Sequence, residues 1–275
     1  MTLILCIIIA LLALALITMR ERYVHLKGSI EQGRTSMYDK LRDSENDKTR
    51  LKRQLTQNIA HELKTPVSSI QGYLETIVSN PDMDEAQREQ FIQRCFAQSR
   101  RLSSLLADIS TLNKLDDAPQ EYTFEQVNVP TLLQTIQKDV SLQAENNKVT
   151  FRMLVEPSVT VLGNQSLLYS IFRNLTDNSI AYGGIGVTVT VQILSEDESF
   201  YTFSFSDNGP GVAPVHLPHL FERFYRIDKG RSRKMGGTGL GLAIVKNSVL
   251  LHGGRISVRL GQAGGLEFIF TLPKK

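Results

Sequence analysis

The sequence predicts an α + α/β protein with an N-terminal transmembrane helix, a helical-hairpin domain and a C-terminal α/β sandwich. Three observations predict this order. An uncharged apolar run opens the chain, apolar residues then recur at heptad spacing, and 16 of the 19 glycines lie after residue 160. A chain of 275 residues has room for about two domains.

The composition excludes several classes of protein. Hydrophobic residues make up 41% and charged residues 21%, which is typical of a folded chain and not of a disordered one. The net charge of +3 is too small to indicate a nucleic-acid partner, and we expect none. Cys6 and Cys95 lie far apart in unlike contexts, which excludes a disulfide framework.

Residues 2–19 carry no charge and would span roughly 27 Å as a helix, enough to cross a bilayer core. A signal peptide is the alternative, but the run lacks a positive n-region and a small-residue cleavage site. Residues 20–60 hold ten Lys/Arg against six Asp/Glu, which predicts that they lie in the cytoplasm. We therefore expect a single-pass protein of the inner (cytoplasmic) membrane, with 1–19 as the transmembrane helix and 20–50 as a juxtamembrane linker helix.

Almost nothing precedes this apolar run, so we expect no extracytoplasmic domain in this chain. The alternative is that Met1 is an internal start in a longer gene.

Residues 51–117 predict two antiparallel helices that share one apolar stripe. Heptad steps of 4 and 3 are interrupted at Asn80-Pro81-Asp82 and then resume. Pairing two hairpins into a four-helix bundle would bury both stripes, so we expect a homodimer. A coiled-coil spacer without chemistry is the alternative. The stripe residues are Leu63, Val67, Ile70, Leu74 and Ile77, then Phe91, Cys95, Gln98, Leu102, Leu105, Ile109 and Leu112.

One turn of the first helix carries candidate chemistry. His61 precedes Leu63 by two residues, about 200° around the helix, so it is expected to face solvent. Glu62 is its neighbour, Thr65 lies one turn further on the same face, and Pro66 predicts a local bend. A neutral imidazole beside a carboxylate is a plausible nucleophile near pH 7, although a solvated side chain is the simpler interpretation.

The pattern changes after residue 117 to short strands and helices, which predicts an α/β sandwich over residues 118–275 with a mostly antiparallel sheet. Predicted strands are 148–155, 187–193, 201–206, 255–260 and 266–272, and predicted helices are 130–144, 165–182 and 239–251.

Two polar clusters in this domain indicate a ligand. Asn174 and Asn178 share one face of the helix 165–182, and inward amides are costly unless something polar binds them. Asp207 follows a strand and precedes Gly209 and Gly211, where its carboxylate can accept a hydrogen bond from an exocyclic amine.

The third cluster is the glycine-rich run from Gly236 to Leu242, at the start of the last helix. Glycines allow backbone amides to approach phosphates, and a helix N-terminus favours anions. The run matches neither the P-loop nor the dinucleotide pattern, and alone it is weak evidence. The three clusters in this order are strong evidence for a nucleotide site.

Five segments then resemble, in order, the H, N, first glycine, F and second glycine boxes of the sensor histidine kinases of bacterial two-component systems. The resemblance extends from about residue 48 to the C-terminus. It implies a dimerisation and histidine-phosphotransfer domain at 51–117 and a Bergerat-type ATP-binding domain at 118–275. The segments are His61–Pro66, Asn174–Tyr182, Asp207–Gly211, Phe221–Arg226 and Gly237–Leu242.

The resemblance implies an ATP-dependent protein-histidine kinase with a cognate response regulator as its partner. His61 would accept the γ-phosphoryl group of ATP and pass it to an aspartate of the regulator. Glu62 would be the base on the second ring nitrogen, and Thr65 would act in dephosphorylating the regulator. Asn178 would ligate Mg²⁺, with Asn174 close to the metal or the phosphates.

The resemblance also implies the nucleotide contacts. Asp207 would accept a hydrogen bond from the adenine amino group. Many relatives place a basic residue at the position of Ala181, so Arg226 is expected to supply that charge here, and Ser179 replaces a commoner alanine. The other implied nucleotide residues are Tyr182, Gly209, Gly211, Gly237, Thr238, Gly239, Leu240 and Gly241.

Residues between Gly211 and Gly237 would form a basic lid over ATP. Arg223 and Arg226 belong to it, together with Lys229, Arg231, Arg233 and Lys234. A solvated basic loop is the alternative interpretation.

The remaining histidines of this domain are interpreted as structural. Leu217-Pro218 separates His216 from His219 and prevents a helical metal pair. His252 lies at a helix end, where capping or packing is expected.

Two alternatives to a kinase remain open. A non-catalytic dimeric scaffold could bind nucleotide and transfer nothing, although the intact boxes argue against it. A different ATPase of the same nucleotide fold would lack the His61 hairpin.

Overall fold

The computed structural model describes residues 16, 19, 20, 22, 27, 53, 55–228 and 237–275. The predicted transmembrane helix 1–19, the linker 20–50 and the lid residues 229–236 lie outside the described residues, apart from those single positions. Among the helices that are described, none is both long and apolar enough to cross a membrane. The chain divides into two compact units, Met1–Ala60 and His61–Lys275, and the second contains the predicted sites.

The predicted hairpin is present. Helix α1 covers residues 55–79 and helix α2 covers Glu85–Asp117, so the break falls where the sequence predicts it. Tyr73 on α1 contacts Phe91 on α2, with their ring centroids 5.7 Å apart. Val67 and Leu74 of the predicted stripe remain exposed within one chain, so a single hairpin does not bury them.

The strands of the C-terminal domain are β1 Glu125–Asn128, β2 Thr150–Leu154, β3 Thr160–Gly163, β4 Thr188–Glu196, β5 Phe200–Asp207, β6 Ile256–Leu260 and β7 Leu266–Pro273. Five of them form one sheet with the strand order β2-β4-β5-β7-β6. Strand β2 pairs with β4 in parallel, and every other pair in this sheet is antiparallel. Strands β1 and β3 form a separate antiparallel pair.

The described part of this domain contains four α-helices: α3 Val129–Asp139, α4 Ser141–Asn146, α5 Gln165–Tyr182 and α6 Gly241–Leu251. The single predicted helix 130–144 is wrong, because Val140 leaves the helical conformation at φ −103° and ψ 5°. Val140 is fully buried with Ala144 and Ile180, whereas Ile136 belongs to the main core. The break therefore lets α3 and α4 bury their apolar residues against different neighbours.

The core lies between α5 and the sheet. Phe172 on α5 meets Phe203 of β5 and Phe270 of β7 edge to face, with centroids 6.0 and 5.7 Å apart. All three phenylalanines are fully buried. Such contacts stabilise a core beyond the burial of area alone, so the position of α5 on the sheet is well determined.

The C-terminal end of α2 packs on α6. Leu105 and Leu112 are buried with Leu240, Ala243 and Ile244 in one apolar cluster. The prediction that the whole stripe serves the four-helix bundle is therefore wrong for this end. Apolar burial is non-directional, so α6 covers these leucines as effectively as a second hairpin would.

His252 packs and caps as expected. Its side chain is buried and stacks on Phe124 with centroids 4.8 Å apart. Its Nε2 accepts a hydrogen bond from the backbone N–H of Asn164 at 3.0 Å, and its Nδ1 donates to the carbonyl of Ser248 at 2.7 Å. These bonds require the neutral ring, and burial lowers the pKa of His252 below its ordinary value.

We predict that the domain becomes less stable in mild acid because His252 is protonated there and loses its hydrogen bonds. Since its folded-state pKa is depressed, its contribution is fully present above the unfolded pKa of about 6.5 and is lost as pH falls below that value. The loss approaches about 1.4 kcal/mol per pH unit. Urea unfolding of His252→Gln between pH 7.5 and 5 should show a flatter pH dependence than the wild type. Equal slopes in the two proteins would contradict the prediction.

Candidate active site

Asn174 and Asn178 lie four residues apart on α5, and both are half-buried. The Nδ2 of Asn174 donates to the carbonyl of Ser170 at 2.8 Å and to its hydroxyl at 3.1 Å. This orientation leaves Oδ1 facing Gly241, where an added Cβ would overlap it. The N box and the second glycine box are therefore in direct contact.

Asp207 ends β5 and its carboxylate is held on both oxygens. Oδ1 accepts a hydrogen bond from the backbone N–H of Gly209 at 3.0 Å, and Oδ2 accepts one from the hydroxyl of Ser179 at 3.0 Å. Gly211 has φ +66°, the left-handed region that favours glycine. Gly265, in the turn between β6 and β7, lies so close that an added Cβ would overlap the Asp207 carboxylate.

Thr238 links the second glycine box to the hairpin. Its hydroxyl oxygen accepts from the N–H of Leu240 at 3.2 Å, and its hydroxyl donates to Asp108 Oδ2 on α2 at 2.7 Å. Burial raises the pKa of Asp108, and the Thr238 hydrogen bond opposes that rise. Helix α6 begins at Gly241, so its N-terminal amides lie beside this loop and favour an anion there.

Arg226 lies against the second glycine box, next to Gly239. Gly239 adopts φ +75°, and a Cβ there would lie 3.1 Å from the Nε of Arg226 and 3.0 Å from the Cα of Phe224. The Nε of Arg226 is buried and finds no hydrogen-bond partner among the described residues. A buried cationic donor beside glycine amides and a helix N-terminus suits a phosphate group, so the residues present fit a nucleoside triphosphate.

The H box presents an exposed histidine beside a carboxylate that is bound elsewhere. The side chain of His61 is 67% exposed, and its Nδ1 lies 3.9 Å from Glu62 Oε1, beyond hydrogen-bond length. Glu62 Oε2 accepts from Arg101 at 3.2 Å and from Arg226 at 3.1 Å. The Thr65 hydroxyl donates to the carbonyl of His61 at 3.2 Å, which leaves its oxygen lone pairs able to accept.

Sequence reasoning misses three residues of this site and the contact made by a fourth, Ser179. Arg101 and Asp108 carry no signal beyond their place on a charged helix, because their partners lie more than 35 residues away in the chain. Gly265 follows Gly264, and that pair could have been flagged as a close backbone approach. Ser179 was noted as a departure, but its contact with Asp207 depends on how α5 meets β5.

Other predicted residues lie at the edge of the site. Tyr182 ends α5 and is partly exposed. Arg223 is bound to Asp116 on α2 at 2.8 Å and not directed at the glycine loop. His216 bonds Tyr225 and His219 bonds Glu222, each at 2.7 Å. In the described ranges, no cluster of three or more His, Cys, Asp or Glu side chains could hold a metal ion.

Two family models match the chain. Residues 51–118 match the His Kinase A (phospho-acceptor) domain, and residues 163–275 match the histidine kinase-, DNA gyrase B- and HSP90-like ATPase family. The chain belongs to the sensor histidine kinases of two-component systems. The predicted fold, a helical hairpin followed by an α/β sandwich, agrees with these matches.

The chain is similar to the phosphate regulon sensor protein PhoR of Haemophilus influenzae, at 34% identity over 79% of this chain and 50% of that protein. The chain thus spans about half the length of the curated relatives it matches. Among solved structures, full-length ShkA in complex with AMPPNP is 26% identical over 78% of this chain and 45% of that one, with a TM-score of 0.59. ThkA in complex with the response regulator TrrA shares the fold at 17% identity, over 81% and 61% of the two chains, with a TM-score of 0.63.

We predict that Gly241→Ala damages the candidate nucleotide site. The new Cβ would meet Asn174 Oδ1, so the Asn174 amide must rotate out of its hydrogen bonds with Ser170, or α5 and the start of α6 must separate. Overpacking of this kind costs about 1–3 kcal/mol, and we expect nucleotide affinity to fall at least about fivefold. Calorimetric titration with AMPPNP and urea unfolding measure the two effects.

Gly72→Ala is the matched control for this prediction. Gly72 lies in α1 with nothing within 4 Å of an added Cβ. Alanine should therefore stabilise the helix by about 0.5–1 kcal/mol and leave nucleotide affinity unchanged. Wild-type affinity in Gly241→Ala would show that the two boxes do not need this contact.

Proposed function

We propose that this chain is an ATP-dependent protein-histidine kinase that phosphorylates its own His61 and passes the phosphoryl group to an aspartate of a response regulator. The observation that carries the proposal is the convergence of Asn174, Gly241, Arg226 and the H box. The second glycine box contacts the N box through Gly241 and Asn174. Arg226, at the end of the F box, lies against Gly239 of the second glycine box and donates a hydrogen bond to Glu62, the neighbour of His61.

In the proposed kinase step, the Nε2 lone pair of neutral His61 attacks the γ-phosphorus of ATP. A P–N bond forms, the bond from the γ-phosphorus to the β,γ-bridging oxygen breaks, and ADP leaves. The ring then carries a positive charge, which it loses when Nδ1–H gives its proton to Glu62. Glu62 already lies 3.9 Å from Nδ1, so a small rotation would complete this contact.

The C-terminal domain would hold the nucleotide with residues on three elements. Asp207 would bind the adenine amino group, while the second glycine box and the start of α6 would bind the phosphates. Asn178, with Asn174 close by, would hold Mg²⁺, which when bound neutralises charge on the triphosphate. Tyr182, Gly209, Gly211, Gly237, Thr238, Gly239 and Leu240 would complete the contacts.

Arg226 would have to change partners during the cycle. Its Nη2 donates to Glu62, whereas the proposed kinase step needs that carboxylate beside His61 and a cation beside the phosphates. We propose that nucleotide binding draws Arg226 away from Glu62. Arg101 stays on the hairpin, so Glu62 retains one partner within its own domain.

The proposed partners are a second copy of the chain and a response regulator. Exposed apolar residues on the hairpin, among them Val67, Leu74 and Val78, support a four-helix bundle. The response regulator in the ThkA complex supports a similar partner here. The uncharged run 2–19 supports anchoring in the inner membrane, with the catalytic region in the cytoplasm.

The test is autophosphorylation of the full chain in detergent. Incubation with γ-labelled ATP and Mg²⁺ should give label that is acid-labile and alkali-stable, as expected for a phosphoramidate. His61→Gln should give none but should bind AMPPNP with wild-type affinity, because His61 is exposed and lies outside the nucleotide contacts. Tight AMPPNP binding without label in the wild type would favour the non-catalytic scaffold.

Thr65→Val should separate two activities. Thr65 lies one turn from His61, so a regulator docked for transfer would present its phospho-aspartate near the Thr65 hydroxyl, which can accept from a water and orient it. Valine keeps the shape without the hydroxyl. Dephosphorylation of the regulator should fall at least about tenfold, with autophosphorylation within about twofold of wild type.

Thr76→Val is the matched control, because Thr76 also donates to a helix carbonyl four residues back, that of Gly72, at 2.7 Å. It should alter neither activity. Equal loss of both activities in Thr65→Val would indicate a structural role for Thr65 instead.

A further inference from the structure

We propose that Ser179 is a positioning residue for base recognition, which orients Asp207 so that the site selects purines with an amino group at C6. This inference rests on the proposed function, in which Asp207 binds adenine. It assigns the selectivity to a contact between two elements, α5 and β5.

Ser179 has a buried hydroxyl with one charged partner. It follows Leu175 by four residues, so it lies on the buried face of α5 and is only 3% exposed. A buried hydroxyl needs a hydrogen-bond partner, and that partner is Asp207 Oδ2 at 3.0 Å. Because a carboxylate oxygen can only accept, the serine hydroxyl is the donor.

The carboxylate is then constrained on every side that the described residues reach. Its other oxygen, Oδ1, accepts from the N–H of Gly209 at 3.0 Å. Gly265 fills the remaining side, so close that a Cβ would overlap Oδ1. Rotation about the Cβ–Cγ bond would break both hydrogen bonds, so the plane of the carboxylate is set before any ligand arrives.

A fixed carboxylate discriminates between bases by hydrogen-bond polarity. Each oxygen keeps a second lone pair, which accepts from an amino group and repels a 6-oxo group. Without the Ser179 hydroxyl, Oδ2 loses its donor and Oδ1 alone orients the group. Part of the binding free energy of the amino contact would then be lost to ordering the carboxylate, whereas the phosphate contacts would be unaffected.

The experiment compares two nucleotides in the full-length protein by calorimetric titration. One is ATP and the other is purine riboside triphosphate, which lacks only the 6-amino group. We expect the wild type to prefer ATP and Ser179→Ala to reduce that preference about threefold to tenfold, through weaker ATP binding alone. The preference is a ratio of two affinities in one protein, so partial unfolding of a variant does not change it.

Two further variants sharpen the comparison. Ser248→Ala removes another fully buried serine hydroxyl, one with no hydrogen-bond partner among the described residues, and should keep the wild-type preference. Ser179→Cys keeps nearly the same volume with a weaker donor and should give an intermediate preference.

An unchanged preference in Ser179→Ala, or an equal loss for both nucleotides, would overturn the inference and leave the proposed function standing. A wild type that binds both nucleotides equally would overturn the inference and the adenine role of Asp207 together. Asp207→Ala reports on that role by itself, because it removes both acceptor oxygens and should abolish the preference whatever Ser179 does. A wild type that binds neither nucleotide would overturn the proposed function.

Discussion

The packing of α5 on the sheet is the constraint on which the rest of the site depends. Phe172 packs edge to face on both Phe203 and Phe270, and Leu168, Ile171 and Leu175 of α5 continue the same face. Burying a large apolar side chain is worth about 1.5–3 kcal/mol, so sliding or rotating this helix would cost several such contributions at once. Its polar residues are therefore carried to defined places: Asn174 against the second glycine box and Ser179 against Asp207.

The second constraint couples the two domains through charge. Glu62 stands next to the proposed phosphoacceptor, yet its carboxylate is bound by Arg101 of the hairpin and Arg226 of the C-terminal domain. The hydrogen bond from Arg226 engages Glu62 Oε2, while the other carboxylate oxygen, Oε1, lies 3.9 Å from Nδ1 of His61. Thr238 and Asp108 make a second link of this kind between the domains.

Apolar burial reinforces that coupling. Leu105 and Leu112 of α2 lie with Leu240 and Ile244, next to the residues that would bind phosphate. A nucleotide that reorders the second glycine box would thus disturb an apolar interface as well as two polar links. Residues of the proposed nucleotide site, such as Thr238 and Leu240, also make the contacts with the hairpin. Nucleotide binding and the arrangement of the two domains would therefore be coupled.

The sequence by itself determined the hairpin, its turn near Pro81, the extent of α5, and the five strands of the large sheet to within three residues at each end. Periodicity of 3.5 or 2 residues, turn residues and glycine clusters are local properties, and they also placed the candidate chemistry at His61, Asn178 and Asp207. Strands β1 and β3 were not predicted, because a strand of four residues is too short to show a recognisable periodicity.

Only the tertiary structure decided which of these residues meet. The contacts of Ser179 with Asp207, of Arg226 with Glu62 and of α2 with α6 join positions 28, 164 and more than 100 residues apart in the chain. Apolar burial has no direction, and a charged side chain accepts any opposite charge within reach. The partner of each group is therefore set by the packing of whole elements and not by the residues around it in the sequence.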